Sequence, residues 1–101
     1  MKILIPVDSK DLDSAKLTNI SAEVDWLCME IVEAKVVSKK IYSSSNEALE
    51  EWVDAVVVCG DFEPVMEFIE SQVMVLVAHT QRELDDIVEA FLFKELMELG
   101  F

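Results

Sequence analysis

Thiol and imidazole groups are the first candidates for chemistry in this chain of 101 residues. Thiolate and imidazole are the ligands that zinc and iron-sulfur clusters prefer, and Cys28, Cys59 and His79 supply them without any C-x-x-C spacing. Both cysteines lie in apolar runs, where a small buried thiol is common. Cys59 stands out because it precedes Gly60 at the predicted carboxyl end of a strand, and His79 follows the next predicted strand. We therefore predict a metal site at Cys59 and His79.

Aspartate side chains offer a second kind of chemistry. Asp8, Asp11, Asp13 and Asp61 come after predicted strands, and their oxygens are hard ligands for Mg²⁺ in nucleases and phosphatases. An aspartyl-phosphate phosphatase carries D-x-D directly after its first strand, whereas Asp11 and Asp13 come later. Carboxylates that cap loop turns explain the same pattern. A Mg²⁺-dependent hydrolase using Asp8, Asp13 and Asp61 is thus the third of three hypotheses.

Catalytic loops of other classes are missing from the sequence. It contains no G-x-S-x-G elbow, and its single histidine has no marked serine or cysteine partner. Gly60 stands alone, so neither a dinucleotide fingerprint nor a P-loop can be built. The sequence predicts no catalytic residue and a protein that is not an enzyme.

Charge and composition indicate which classes of partner and which cellular compartment the sequence favours. The chain has 21 acidic and 8 basic residues and a net charge of −13, which repels nucleic acid and anionic membrane surfaces. No run reaches the roughly 18 to 20 apolar residues that span a bilayer, and no signal-peptide cleavage site precedes the first strand. Two cysteines are few for a secreted disulfide scaffold. These features predict a cytoplasmic protein, and the charge is compatible with a basic protein or a cation as partner.

The elements that must position these residues follow from apolar periodicity. Alternating or continuous β-rich runs predict strands, and a hairpin through Glu33-Ala34 joins the second to the third although its turn lacks Gly and Asn. The predicted strands are Lys2 to Val7, Trp26 to Val32, Lys35 to Tyr42, Ala55 to Cys59 and Val73 to Ala78.

Helix signals separate the later strands. Ser44 and Glu47 have capping-box spacing, and Pro64 suits the first turn of the next helix. Thr80 and Glu83 form a second capping box, after which apolar residues at helical spacing continue to the C-terminus.

The order of elements predicts one α/β domain over residues 1–101. A three-layer α/β/α sandwich with a mostly parallel sheet and one antiparallel strand is the natural closure. In open α/β sheets, ligands gather at the carboxyl ends of the strands. We therefore expect residues 8–13, 60–64 and 79–80 to lie at one edge of the sheet.

Several short motifs, in order, resemble the dinitrogenase iron-molybdenum cofactor biosynthesis family. They are Met1-Lys2-Ile3-Leu4-Ile5-Pro6-Val7-Asp8, Leu12-Asp13-Ser14, Trp26 to Ile31, Asp54-Ala55-Val56-Val57-Val58, Gly60 and Pro64. The resemblance covers nearly the whole chain. It implies a ribonuclease-H-like fold with a five-stranded mixed sheet, and a role in binding or carrying iron-molybdenum cofactor or iron-sulfur precursors.

The resemblance also implies where such a cargo binds. Positions that match the family are Asp13, Ser14, Gly60 and Pro64, and with Cys59 they form the expected cofactor-binding set. The family's His-Phe-Gly triplet before the second strand is replaced here by Asn19, Ile20 and Ser21. Its Gly-Pro-Asn is replaced by Glu63, Pro64 and Val65.

Two further hypotheses compete for the function. The first is a non-enzymatic nitrogenase accessory factor that carries a metal cluster. The second is a protein-interaction module that has kept the fold and lost the cluster, binding a partner or a second copy through its C-terminal helix. The apolar residues that support the second are Leu92, Phe93, Met97 and Phe101.

Overall fold

Six strands and three helices form the fold in the computed structural model, which describes residues 1–21, 24–60 and 63–99. In chain order the elements are β1 (Lys2–Val7), β2 (Asp25–Val32), β3 (Lys35–Tyr42), α1 (Ser45–Leu49), β4 (Ala55–Val58), α2 (Met66–Glu70), β5 (Met74–Val77), α3 (Leu84–Leu92) and β6 (Met97–Glu98). The five predicted strands are all present, with ends that differ by one residue at most.

The strands form one mixed sheet in the order β3-β2-β1-β4-β5-β6. β1 pairs in parallel with β4, and β4 with β5. β2 is antiparallel to both of its neighbours, and β6 is antiparallel to β5. The prediction of five strands with one antiparallel strand was therefore wrong. β6 is a sixth strand, and it is the second strand, after β2, that runs antiparallel to the others.

Two separate clusters of buried side chains cover the sheet, because successive residues of a strand face opposite sides. Ile3 and Val57 belong to one cluster together with Ile87 of α3. Leu4 and Val56 belong to the other, which also contains residues of α1 and α2. All four residues of β4 are buried, so a continuous run of Ala and Val suits this central position.

The C-terminal part departs most from the predicted helix. α3 ends at Leu92, Lys94 adopts a φ of 58°, and the chain then returns to the sheet. Leu99 donates its N–H to the carbonyl of Val75 at 2.9 Å. Unpaired backbone groups along the edge of β5 favour this strand, and pairing with them outweighs the helical spacing of Leu96 and Met97.

The predicted hairpin between β2 and β3 is confirmed. Its turn residues, Glu33 and Ala34, have φ values of 51° and 66°. A two-residue hairpin turn requires this left-handed conformation, which disfavours side chains larger than glycine. The turn is therefore strained.

The N-terminus of α1 is capped as predicted, since the N–H of Glu47 donates to Oγ of Ser44 at 3.2 Å. The helix ends at Leu49, however, and Trp52 beyond it is 92% exposed. Trp52 and Val53 follow Ala48 and Leu49 at helical spacing in the sequence, but they lie beyond the end of the helix.

The other two helices begin later than the sequence indicated. Pro64 lies just before Val65, the N-cap of α2. α3 begins at Leu84 with Glu83 as its N-cap and no side-chain capping bond, so the predicted cap at Thr80 was wrong. Of the helices in the described ranges, none is long and apolar enough to cross a membrane.

Pro6 lies in the central strand β1, opposite Trp26 of β2. Met1 and Ile31 exchange hydrogen bonds at 2.8 and 2.7 Å, so the odd-numbered residues of β1 point their backbone groups toward β2. Pro6 is even-numbered, and its carbonyl instead accepts the N–H of Thr18 at 3.0 Å. The missing N–H of Pro6 therefore removes no hydrogen bond between β1 and β2.

Candidate functional site at the carboxyl edge of the sheet

The loop between β1 and β2 lies beside the last residues of β1, which do not pair with β4. Thr18 donates to the carbonyl of Pro6, and on the other side Leu17 donates to the carbonyl of Arg82 at 2.7 Å. The loop thus joins the end of β1 to the segment before α3. This course brings Asn19 over the end of β4.

Cys59 and two oxygen-bearing side chains form a hydrogen-bonded cluster at the end of β4. The Sγ atom of Cys59 lies 2.6 Å from Oδ1 of Asn19 and 3.0 Å from Oε1 of Glu63. Oε1 of Glu63 also accepts the N–H of Ile20 at 3.3 Å. A thiol carries a single proton, so the two oxygens compete for it.

This environment holds Cys59 in its protonated form. Burial raises the pKa of the thiol from its ordinary 9.0 to about 11, and the hydrogen bond to Glu63 and the negative charge of Glu63 act in the same direction. The guanidinium of Arg82 acts in the opposite direction. Since the thiolate is the nucleophile and metal ligand, Cys59 must lose a proton before it can act as either.

His79 follows β5 at the same edge of the sheet. The N–H of Ala78 donates to the carbonyl of Val58 at 2.8 Å, which keeps the ends of β4 and β5 side by side. His79 is exposed, and its carbonyl accepts from Nη2 of Arg82 at 3.4 Å. In the part of the chain that the structure describes, no three His, Cys, Asp or Glu side chains converge as metal ligands. The Cys59 and His79 metal site stays a prediction.

Gly60 and Pro64 lie next to this cluster. A Cβ added at Gly60 would have no atom within 4 Å, and Pro64 is exposed. The backbone of Gly60 does not adopt a positive φ. Open space is therefore available beside Cys59, and backbone strain does not require glycine there.

Asp13 and Ser14 belong to a different part of the surface. They line a cavity of about 370 Å³ at the start of α3. The other residues around it are Leu12, Ala15, Lys16, Lys39, Glu83, Leu84 and Asp85. The predicted cofactor-binding residues thus fall into two groups, one around this cavity and one around Cys59.

The remaining aspartates hold the loop together. Oδ1 of Asp8 accepts the N–H of Lys16 at 2.9 Å, and Oδ1 of Asp11 accepts the N–H of Asp13 at 3.1 Å. Asp61, the third residue of the Mg²⁺ hypothesis, lies outside the described residues. The oxygens of Asp8 and Asp11 therefore act as turn caps, the alternative that the sequence offered.

Asn19 and Glu63 were missed as partners of Cys59. Asn19 is 40 residues from Cys59 in the sequence, and Glu63 is 4 residues from it. No local sequence pattern indicates the contact between Asn19 and Cys59. The available signal was that both Asn19 and Glu63 occupy positions where this chain departs from the family it resembles.

The apolar residues expected on one C-terminal helix are divided among different elements. Leu92 is the last residue of α3, Phe93 is its C-cap and is 69% exposed, and Met97 lies in β6. Phe101 lies outside the described residues. The described members of this set therefore do not share one continuous helical face, and a dimer through them stays a prediction.

Solved structures with this fold include two of one protein, MJ0327. The crystal structure of a putative dinitrogenase, MJ0327, from Methanocaldococcus jannaschii matches with a TM-score of 0.78 and 19% identity over 99% of this chain and 95% of that one. Its NMR structure gives a TM-score of 0.78, 18% identity and coverages of 100% and 94%. These likenesses show the fold.

A third solved structure, that of PH0822, is similar over 97% of this chain and 96% of its own, with a TM-score of 0.76 and 14% identity. No protein-family model and no curated protein matches the chain.

Proposed function

We propose that this protein is a cytoplasmic, non-enzymatic accessory protein of the nitrogenase type, which carries an iron-molybdenum cofactor or an iron-sulfur cluster as cargo. The observation that carries the proposal is the full-length structural likeness to the M. jannaschii protein described as a putative dinitrogenase. Cys59 supports it, because a soft sulfur donor stands at the carboxyl edge where ligands of α/β sheets gather.

The fold is part of the same proposal. We infer a three-layer arrangement of the ribonuclease-H-like kind, with α3 on one face of the sheet and α1 and α2 on the other. The division of the buried side chains into two clusters, one containing Ile87 and the other containing Phe68, supports this arrangement.

The donor set around Cys59 suits a cargo that must later be released. It supplies one thiol, with an amide and a carboxylate oxygen within 3.0 Å of Sγ. Iron takes the thiolate, so the Sγ proton must leave, and Oε1 of Glu63 is the adjacent acceptor. A single thiolate holds a cluster less firmly than the four of a resident iron-sulfur centre. His79 is the second predicted ligand.

Native mass spectrometry of protein purified without oxygen tests the proposal. The spectrum is recorded before and after iron and sulfide are supplied, for the wild type and for Cys59→Ser and His79→Ala. We expect a cluster-sized increase in mass that either substitution abolishes. Because Cys28 is buried in the core, Cys28→Ala is the matched control and should keep the increase.

Two results would contradict the carrier proposal. The first is a wild-type protein that gains no mass. The second is a gain that Cys59→Ser leaves unchanged, which would place the cluster away from the carboxyl edge. In either case the interaction module would be the better account of the fold.

A further inference from the structure

Large apolar side chains are exposed along the edge at which β1, β4 and β5 begin, which we call the amino edge. The sheet order β2-β1-β4-β5 places them one after another on strands about 4.8 Å apart. They are Val32 at the end of β2 (45% exposed), Met1 before β1 (45%), Trp52 before β4 (92%) and Met74 at the start of β5 (38%). Tryptophan and methionine are enriched at protein interfaces, and an almost fully exposed tryptophan is costly to leave in water.

The backbone beneath these side chains is fixed by hydrogen bonds. The N–H of Asp54 donates to the carbonyl of Lys2 at 2.9 Å, and the carbonyl of Asp54 accepts from Met74 at 3.1 Å. The segment before β4 is thus tied to the starts of both neighbouring strands. Trp52 lies on this segment beside a recess of about 230 Å³ that Ser71 and Val73 also line. The apolar groups are therefore presented on an ordered frame, which lowers the entropy cost of binding.

The apolar surface continues onto the end of α3. A groove of about 530 Å³ lies between this end of the helix and the edge formed by β5 and β6. Its apolar lining is made by Met1, Met74, Leu76, Phe91, Leu92 and Leu96. Phe93, which follows the helix, is 69% exposed. An apolar patch that combines exposed side chains with a groove is the usual form of a protein-binding site.

The charges near the amino edge select the occupant. The exposed acidic residues at this edge and its groove include Glu33, Glu50, Asp54, Glu70 and Glu98, and the exposed basic residues include Lys35 and Lys94. A second copy would bring one chain of net charge −13 against another, which opposes association. A basic surface is attracted by the same charges.

We propose that the amino edge is the docking surface for a partner protein that presents apolar side chains flanked by lysines and arginines. Trp52 is the central anchor, and the groove under α3 receives the partner's apolar side chains. The Cys59 cluster lies at the opposite edge of the sheet, so a docked partner leaves it open.

Two synthetic helical peptides with identical leucines test this proposal, one with lysine and the other with glutamate at the flanking positions. Binding is measured by anisotropy of a dye on the peptide and by the emission of the protein's tryptophans, of which Trp26 is buried and Trp52 exposed. We expect the lysine peptide to bind and shift the emission to shorter wavelength, and the glutamate peptide not to bind. Trp52→Ala and Phe93→Ala should each weaken binding about tenfold or more.

Met66→Ala is the matched control, because Met66 is 61% exposed at the start of α2, away from the amino edge. If this variant and Trp52→Ala bind the lysine peptide equally well, the overall charge of the protein alone explains the binding, and the proposal is overturned. Failure of the wild type to bind the lysine peptide would also overturn it. So would a wild-type dimer in sedimentation that Trp52→Ala dissociates, since the occupant would then be a second copy.

Discussion

The cluster of Cys59, Asn19 and Glu63 places a carboxylate beside a thiol, and this arrangement determines how the thiol reacts. A negative neighbour disfavours the thiolate, and burial disfavours it further. The raised pKa of Cys59 is therefore the opposite of what a nucleophilic cysteine needs. The thiol is therefore less reactive than a free cysteine toward reagents that attack the thiolate.

Alkylation kinetics test this environment. In a Cys28→Ala background, Cys59 should react with iodoacetamide at pH 8 at least about tenfold more slowly than a free cysteine, because a pKa raised from 9.0 to about 11 lowers the thiolate fraction by roughly 100-fold. Glu63→Gln should raise the rate several-fold, since it removes the negative charge. Glu67 is an exposed residue of α2, so the matched variant Glu67→Gln should leave the rate unchanged; equal rates for both variants would contradict the assigned role of Glu63.

The same pKa shift gives a pH dependence of stability. A thiol whose pKa is higher in the folded than in the unfolded state stabilises the fold fully below pH 9, and this contribution is lost as the pH rises through about 11. Glu63→Gln should reduce the loss over this range.

At the residue scale, the sequence predicted Cys59 as the thiol at the sheet edge but not its partners. The position of Cys59 follows from the apolar run before Gly60, which is local information. The contact with Asn19 depends on the course of the loop after β1, whose hydrogen bonds to Pro6 and Arg82 have no sequence pattern. A contact between residues 40 positions apart forms only through the folding of the whole chain.

At the scale of elements, the hairpin between β2 and β3 contains the strained turn. Ala34→Gly should stabilise the protein by about 0.5–1 kcal/mol, because glycine adopts a φ of 66° without the steric cost that alanine bears. Urea unfolding measures the change. Ser38→Gly in the adjoining strand β3 is the control, and it should destabilise the protein because glycine weakens a strand. A loss of stability on Ala34→Gly would show that the turn is not strained.

The elements that the sequence predicted well are those with dense local signals. β4 and β5 are runs of valine too short for a helix, and the cap of α1 is a serine at the expected spacing. The prediction of a helix up to the C-terminus failed because the spacing of Leu96 and Met97 fits a helix as well as a strand. Pairing with the free edge of β5 makes this segment a strand, and that edge exists only in the folded sheet.

At the scale of the whole molecule, the net charge of −13 means that most acidic side chains have no basic side chain to pair with. Among the described residues, the salt bridges involve Lys2, Lys10 and Lys40 and are partly exposed, so each contributes little. Repulsion among acidic side chains therefore destabilises the compact state, and it is screened by salt.

A thermal unfolding series in sodium chloride tests this repulsion. Raising the concentration from low salt to physiological ionic strength and beyond should raise the Tm by roughly 4–8 °C, the shift that about 1 kcal/mol produces in a domain of this size. Glu50→Gln combined with Glu70→Gln should raise the Tm at low salt and show a smaller salt effect. A Tm that falls with salt would mean that attractive ion pairs dominate.

Pro6 bears on how the chain matures during synthesis. β1, β2 and β3 leave the ribosome before β4, so the antiparallel half of the sheet can assemble while the other side of β1 is still bare. The backbone groups of Lys2 and Leu4 face that bare edge, which makes it a template for pairing with other nascent chains. The missing N–H of Pro6 points to this side and interrupts the row of donors without affecting β2. Pro6 thus leaves one donor fewer for another chain to pair with before β4 and the loop carrying Thr18 cover the edge.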